Sequence, residues 1–299
     1  MNGARPQAST AFFLTHLSLC SLAWGSSFLL IKLTHGEVSP PVLAACRGLF
    51  GGLTLMLVTL LRRQVPLPAR DEIVPWLVIG TINGFVPNLL VAYGLTRLDS
   101  GAAALLQAAG PLLTAIGAHL MFTDERLNAW SLAGVLVGLA GVALLIGPSA
   151  GSGAGGAMGA LAMLGVAACY ALGNLYTRLV RHHPADRLAL GQQVTSGLLA
   201  SVVAMGVTGP AGFGPVADHL LPLLALGTLA TALPMTVFMR MIVAVGPTRA
   251  AMTGYTVPTV AVILGVLVLG ERLTVLQSVG GAVVFLGVWM VAIARRRGA

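Results

Sequence analysis

Charge is scarce in this sequence. Asp, Glu, Lys and Arg make up 9% of its 299 residues and apolar residues 57%, for a mean hydropathy of +0.90. That shortage excludes an ordinary water-facing surface, and the chain reads as an integral membrane protein. Acids are the rarer sign: all nine, Glu37, Asp71, Glu72, Asp99, Asp124, Glu125, Asp186, Asp218 and Glu271, fall at or near the ends of apolar runs or between them. No carboxylate is available at mid-membrane to trap a cation or relay a proton, which counts against a cationic-drug antiporter built on a buried acid. Cysteine is also sparse. Cys20, Cys46 and Cys169 lie inside apolar segments without metal-ligand spacing and read as packing residues. Neither H-E-x-x-H nor a P-loop occurs, so no catalytic residue, metal or cofactor is expected, and nothing encodes the energy source of a primary pump. The net charge of +8 is scattered between apolar runs rather than gathered on a stripe, the pattern of a topology signal and not of a nucleic-acid binder.

What is present is a repeat. Pro87 answers Pro234 and Pro111 answers Pro258, each pair 147 residues apart, while Glu125-Arg126-Leu127 answers Glu271-Arg272-Leu273 at 146. A helix needs about 20 apolar residues to cross the bilayer core. Ten such runs are read at 11–34, 40–62, 73–96, 99–122, 128–147, 157–180, 187–208, 219–243, 247–269 and 274–294. The first is taken as a retained span and not a signal peptide, because Cys20 to Lys32 has an internal counterpart from Val166 to Arg178. The expected organisation is a first repeat over 1–147, a Gly/Ser/Ala-rich flexible link over 148–156 and a second repeat over 157–299. Five spans per copy is an odd number. The second copy must enter the membrane from the opposite side, giving two inverted-topology halves, an arrangement typical of transporters.

Orientation follows from the basic residues. With the N-terminus inside, Arg5, Arg62, Arg63, Arg70, Arg126, Arg178, Arg181, Arg187, Arg240, Arg249 and Arg295 to Arg297 lie on or near the cytoplasmic side, against Lys32, Arg97 and Arg272 outside. Thirteen against three predicts both termini in the cytoplasm.

Polar groups inside spans mark a pathway, since each is unfavourable in lipid unless it faces protein or water. Arg47, about two turns into the second span, holds a substrate carboxylate, or else bonds helix-end carbonyls or snorkels outward. Trp24, Phe28 and Lys32 correspond to Tyr170, Asn174 and Arg178, each set at i, i+4, i+8 on one helical face. Trp24 is read as packing or cavity wall, and Tyr170 with Asn174 as cavity lining. In the third span Asn83, Pro87 and Asn88 lie together, so a carbonyl freed by the proline sits beside two amides; the alternative is that the amides bond neighbouring helices. The eighth span keeps Pro234 but has Ala230 and Met235 where the amides would be. Gln107, Gly110 and Pro111 in the fourth span face Gly254, Tyr255 and Pro258 in the ninth, which predicts hinges or static kinks at the Gly and Pro positions and cavity-facing Gln107 and Tyr255. Small-residue ridges at Gly48 with Gly52, and at Gly134, Gly138 and Gly141, predict close helix approach. His16 and His119 could titrate, but both lie towards span ends.

Trp24-Gly25-Ser26-Ser27-Phe28 with Lys32, Ser39-Pro40 with Arg47, and Gly-Glu-Arg-Leu at 270–273 with Asp-Glu-Arg-Leu at 124–127 give the chain its family likeness. It resembles the ten-span, two-repeat EamA-type members of the drug/metabolite transporter superfamily, and in general character the YddG-type amino-acid exporters. The resemblance covers nearly the whole chain. It implies a cavity between the halves and alternating access, with lipid and a small-molecule substrate as partners; it leaves oligomeric state, coupling ion and substrate open. One departure is Tyr170-Ala171 in the second repeat where the first has Trp24-Gly25.

The expectation is an all-α exporter of small metabolites, foremost neutral or aromatic amino acids, with a multidrug or nucleoside/sugar carrier of the same fold as the alternative. Trp24, Asn83, Asn88, Gln107, Tyr170, Asn174 and Tyr255 are its expected substrate-binding residues, and Gly110, Pro111, Gly254 and Pro258 its hinges.

Overall fold

The computed structural model describes residues 10–34, 36–123, 127–151, 153–245 and 253–297. All regular structure among the described residues is helical. The first repeat comprises α1 (Thr10–Lys32), α2 (Pro40–Leu61), a third span built of α3 (Ile73–Ile79), a π-helical segment (Gly80–Phe85) and α4 (Val86–Leu95), a fourth span built of α5 (Ser100–Gln107) and α6 (Gly110–Met121), and α7 (Ala129–Gly151). The second comprises α8 (Ala154–Leu179), α9 (Ala185–Thr208), an eighth span of α10 (Leu220–Gly227), a π-helical segment (Thr228–Ala232) and α11 (Leu233–Val245), then α12 (Thr253–Leu269) and α13 (Val275–Arg297). Eight of the ten spans are long and apolar enough to cross a bilayer, and Thr256–Leu269 and Val275–Val291 are shorter apolar helices in the ninth and tenth positions.

The packing obeys the exchange of halves. α2 lies along α9 and α7 along α13, so the second span meets the seventh and the fifth meets the tenth, each its own counterpart. α1 packs on α11 and α12, while α8 packs on α4 and on α5 and α6; exchanging the first five spans with the last five turns one set of contacts into the other. This is the pattern of an inverted repeat about a pseudo-two-fold axis.

Local chemistry sets the element ends. Pro40 opens α2 at the first helical position, where its missing N–H is no loss. Glycine at φ +63 closes α9 at Gly209 and at φ +67 closes α12 at Gly270, a conformation that L side chains resist. The low-complexity stretch expected as a flexible link is instead mostly helix: α7 continues to Gly151, α8 starts at Ala154, and the intervening Gly153 has φ +92. Helix satisfies the backbone internally near lipid, which outweighs the poor helix propensity of the glycines there.

The glycine ridges do let helices touch. A Cβ on Gly48 would overlap the Gly197 backbone, and one on Gly134 would come to 2.8 Å from the Gly287 carbonyl. The α2–α9 crossing places Arg47 and Ser196, neighbours of those glycines, at the centre of the protein.

Candidate functional site

The third and eighth spans change helix type at equivalent positions. Residues 81–85 correspond to 228–232 at the repeat offset of 147, and both π segments stop just before a proline, Pro87 or Pro234. Proline cannot donate to the carbonyl four residues back, so the Asn83 carbonyl is released from the helix. Gln192 Nε2 of α9 donates to that carbonyl at 3.1 Å, and Asn83 Nδ2 donates to Gln192 Oε1 at 3.2 Å. Asn88 Nδ2 donates to Ser196 Oγ at 3.3 Å. Both span-three amides therefore bond a neighbouring helix, one of the two alternatives open from sequence. Gly80 and Gly84 make room for this: Cβ atoms there would collide with Thr195 and Ser196.

Across α2 the second π segment supplies the matching contact. The Thr231 hydroxyl donates to the Leu226 carbonyl at 2.7 Å and accepts from Arg47 Nε at 3.0 Å. Arg47 is only 7% exposed. It neither snorkels nor bonds helix-end carbonyls; the crossing of α2 over α9 and the eighth span holds it inward. Its guanidinium lies within electrostatic range of Tyr170 on α8.

These residues form one buried polar layer between the halves: Arg47 from α2, Asn83 and Asn88 from the third span, Gln192, Gln193, Thr195 and Ser196 from α9, and Thr231 from the eighth span. All but Asn83 are buried. Two acceptors in it, Asn83 Oδ1 and Gln193 Oε1, are sealed from solvent without a hydrogen-bond partner. Buried polar atoms are rarely left so, and each exception calls for an explanation. The α9 residues and Thr231 were not singled out from sequence, although four polar side chains within five residues of an apolar span were a signal.

The other expected lining residues are distributed. Trp24 is part-buried and packs edge-on against Phe238 at 5.2 Å between ring centroids. Tyr170 is part-buried against the main core. Gln107 is the last residue of α5, next to the break at 108–109 that separates it from α6. Asn174 is exposed; its neighbour Gly173 is the residue that packs on Asn83. The Tyr255 side chain lies outside the described residues. Of the hinge set, Gly110 and Pro111 open α6 after that break, whereas Pro258 sits within an uninterrupted α12. The two sets meet: a Cβ on Gly254 would lie 3.5 Å from Pro111 Cγ.

Further contacts between the repeats form at span ends on either side of the layer. At one end Arg187 of α9 pairs with Glu72 and donates to the carbonyls of Val65 and Leu67, with its guanidinium 5.4 Å from the Trp76 ring. The Arg187 hydrogen bonds hold the Glu72 carboxyl below the usual carboxylate range, burial opposing them and the Ala69 N–H assisting. A surface groove of ≈ 490 Å³ lies beside this clamp, lined by Gln64, Val65, Leu67, Pro68, Ala69, Pro184, Asp186 and Arg187. At the other end Glu271 reaches from the second repeat to cap α5, accepting from the Ser100 N–H and hydroxyl and from the Gly101 N–H. This gives the Gly-Glu-Arg-Leu element a physical role: the glycine stops α12 and the glutamate satisfies the open N–H groups of a helix in the other half.

The EamA-like transporter family model matches the chain twice, over residues 12–147 and 157–293. The chain belongs to that family. At 29% identity over 92% of this chain and 88% of the relative, it is similar to the uncharacterized inner membrane transporter YedA of Escherichia coli K12. An uncharacterized transporter of Bacillus subtilis, YoaV, is 22% identical over 90% of this chain and 93% of its own. A probable amino-acid metabolite efflux pump of Escherichia coli K12 is 25% identical over 91% of this chain and 92% of its own. A crystal structure 20% identical in sequence superposes with a TM-score of 0.68 over 98% of this chain and 100% of that one, a likeness of fold. The protein is thus a membrane transporter and not an enzyme.

Proposed function

We propose that the protein exports small metabolites, foremost neutral and aromatic amino acids, by alternating access of the buried polar layer to the two sides of a bacterial inner membrane, with both termini in the cytoplasm. The observation that carries this reading is the layer itself: a guanidinium, amides and hydroxyls at the join of the halves, with no acid in it. Such a set suits zwitterionic or neutral solutes and disfavours organic cations, which would be buried without a counter-charge. A relative named for amino-acid metabolite efflux adds support. In this scheme residues 1–147 and 157–299 act as two units that bend about Gly110, Pro111, Gly254 and Pro258, and Tyr170, Trp24, Gln107, Asn174 and Tyr255 line the path that opens.

Counterflow of radiolabelled leucine, phenylalanine and alanine into proteoliposomes, with and without an imposed pH gradient, tests the proposal. Exchange of these solutes is expected, and Asn83→Ala with Tyr170→Ala together should abolish it. Exchange of nucleosides, sugars or hydrophobic drugs but of no amino acid would replace it with the alternative carrier.

A further inference from the structure

Arg47 is a buried cation without a counter-ion. Its one hydrogen bond among the described residues runs from Nε to Thr231, which leaves the terminal nitrogens, four N–H donors, without protein partners. The polar atoms sealed away without partners are Ser39 Oγ, Trp76 Nε1, Asn83 Oδ1 and Gln193 Oε1, and the Arg47 nitrogens are not among them. They therefore border a space that a solvent-sized group can touch. No acid of the described chain lies in the layer to neutralise them, since every acid falls at or beyond a span end. A planar guanidinium with its outer edge free is the group that binds a carboxylate through two parallel hydrogen bonds.

The opposite chemistry lies close by. Gln193 Oε1 is a sealed acceptor with no donor, and it would lie 3.3 Å from a Cβ on Gly51, one helical turn beyond Arg47. The same Gly51 position would be 3.4 Å from the Thr231 methyl, whose hydroxyl holds Arg47 Nε. Thr231, which holds Arg47, and Gln193 Oε1 thus both border Gly51, which puts an anion-seeking group and an ammonium-seeking oxygen in one neighbourhood, as the two ends of an amino-acid head group require.

We propose that Arg47 binds the α-carboxylate of the transported amino acid and Gln193 Oε1 its α-ammonium, with Thr231 fixing the guanidinium. This deepens the amino-acid reading above and rests on it. Selection then acts on the shared zwitterionic head, and the side chain is selected only by the room around it.

The test begins with the wild-type protein, where no variant can misfold. Radiolabelled leucine uptake into proteoliposomes is measured against excess unlabelled leucine, leucinamide, isoamylamine, 4-methylpentanoate and phosphoethanolamine. Leucine should compete fully, 4-methylpentanoate weakly, and leucinamide, isoamylamine and phosphoethanolamine negligibly. Arg47→Gln should lower leucine uptake by about thirtyfold or more, the smallest loss typical of breaking a buried charge pair. Arg47→Lys, which keeps the charge and loses the planar fork, should fall between. Thr231→Val and Gln193→Leu should raise the KM for leucine while leaving the purified protein monodisperse. Leucine uptake with isoamylamine competing as well as leucine, or with Arg47→Gln unimpaired, would overturn the inference and leave the amino-acid reading standing. Stronger competition by phosphoethanolamine than by leucine would overturn it in favour of a phosphate. Absence of uptake for every amino acid by the wild type would overturn both.

Discussion

Gly48 shows how much hangs on one missing methyl group. It faces Gly197 so closely that a Cβ there would lie within the backbone of α9, and its neighbour Arg47 owes its inward direction to that crossing. Gly48→Ala is expected to push α2 off α9 and to destabilise by about 1–3 kcal/mol, the usual cost of overpacking. Thermal loss of the monodisperse peak in detergent measures this; an unchanged midpoint would mean that the crossing relaxes freely. At this scale the sequence is an uneven guide. Arg47, Asn83 and Asn88 stood out because charge and amides in an apolar run are unfavourable without partners. Gln192, Gln193, Thr195, Ser196 and Thr231 did not, because their weight depends on which face of α9 and of the eighth span the glycine crossing turns inward. Trp24 belongs with Phe238, a contact to which hydropathy is blind.

At the scale of elements, the third span is the most informative. Its proline was legible as the source of a freed carbonyl, and the structure gives that carbonyl to Gln192. The π segment before it was not legible, because a change in hydrogen-bond register leaves no mark in hydropathy. Pro87→Ala restores an N–H four residues after Asn83, so the segment is expected to rewind as α-helix and release Gln192. Exchange rate should fall severalfold while thermal stability moves by less than about 1 kcal/mol, since one hydrogen bond replaces another. Uptake and melting measured on the same preparation check this. If both stay unchanged, the π segment has no part in transport. Span positions were readable to within a few residues from apolar length alone. At the join between the halves Gly, Ala and Ser suggest flexibility in water, yet Gly147 to Gly151 continue α7.

Taken whole, the two repeats are tied together by two contacts, Arg187–Glu72 at one end and Glu271 on α5 at the other. The first is sensitive to acid. Because the folded Glu72 pKa is depressed, its stabilisation is complete above the unfolded carboxylate value of about 4.3 and is lost as pH falls through the lower folded value. Melting temperature should therefore hold from pH 7 to about 5 and drop below about 4, with Glu72→Gln already lowered at neutral pH and showing a smaller acid drop. Arg187→Met should destabilise by about 1.5–3 kcal/mol, the range for hydrogen bonds to a charged group. An acid profile identical in Glu72→Gln and wild type would assign the acid sensitivity elsewhere.

The two longest packed seams each join a span to its own counterpart, α2 to α9 and α7 to α13. A surface that meets its own copy turned over is self-complementary, so a single five-helix polypeptide inserted in both orientations would find its opposite through the same seams. Fusion into one chain fixes the ratio at one upright half to one inverted half. It also releases each half from having to serve in both roles, and the amides Asn83 and Asn88, with Ala230 and Met235 in the other copy, record that release.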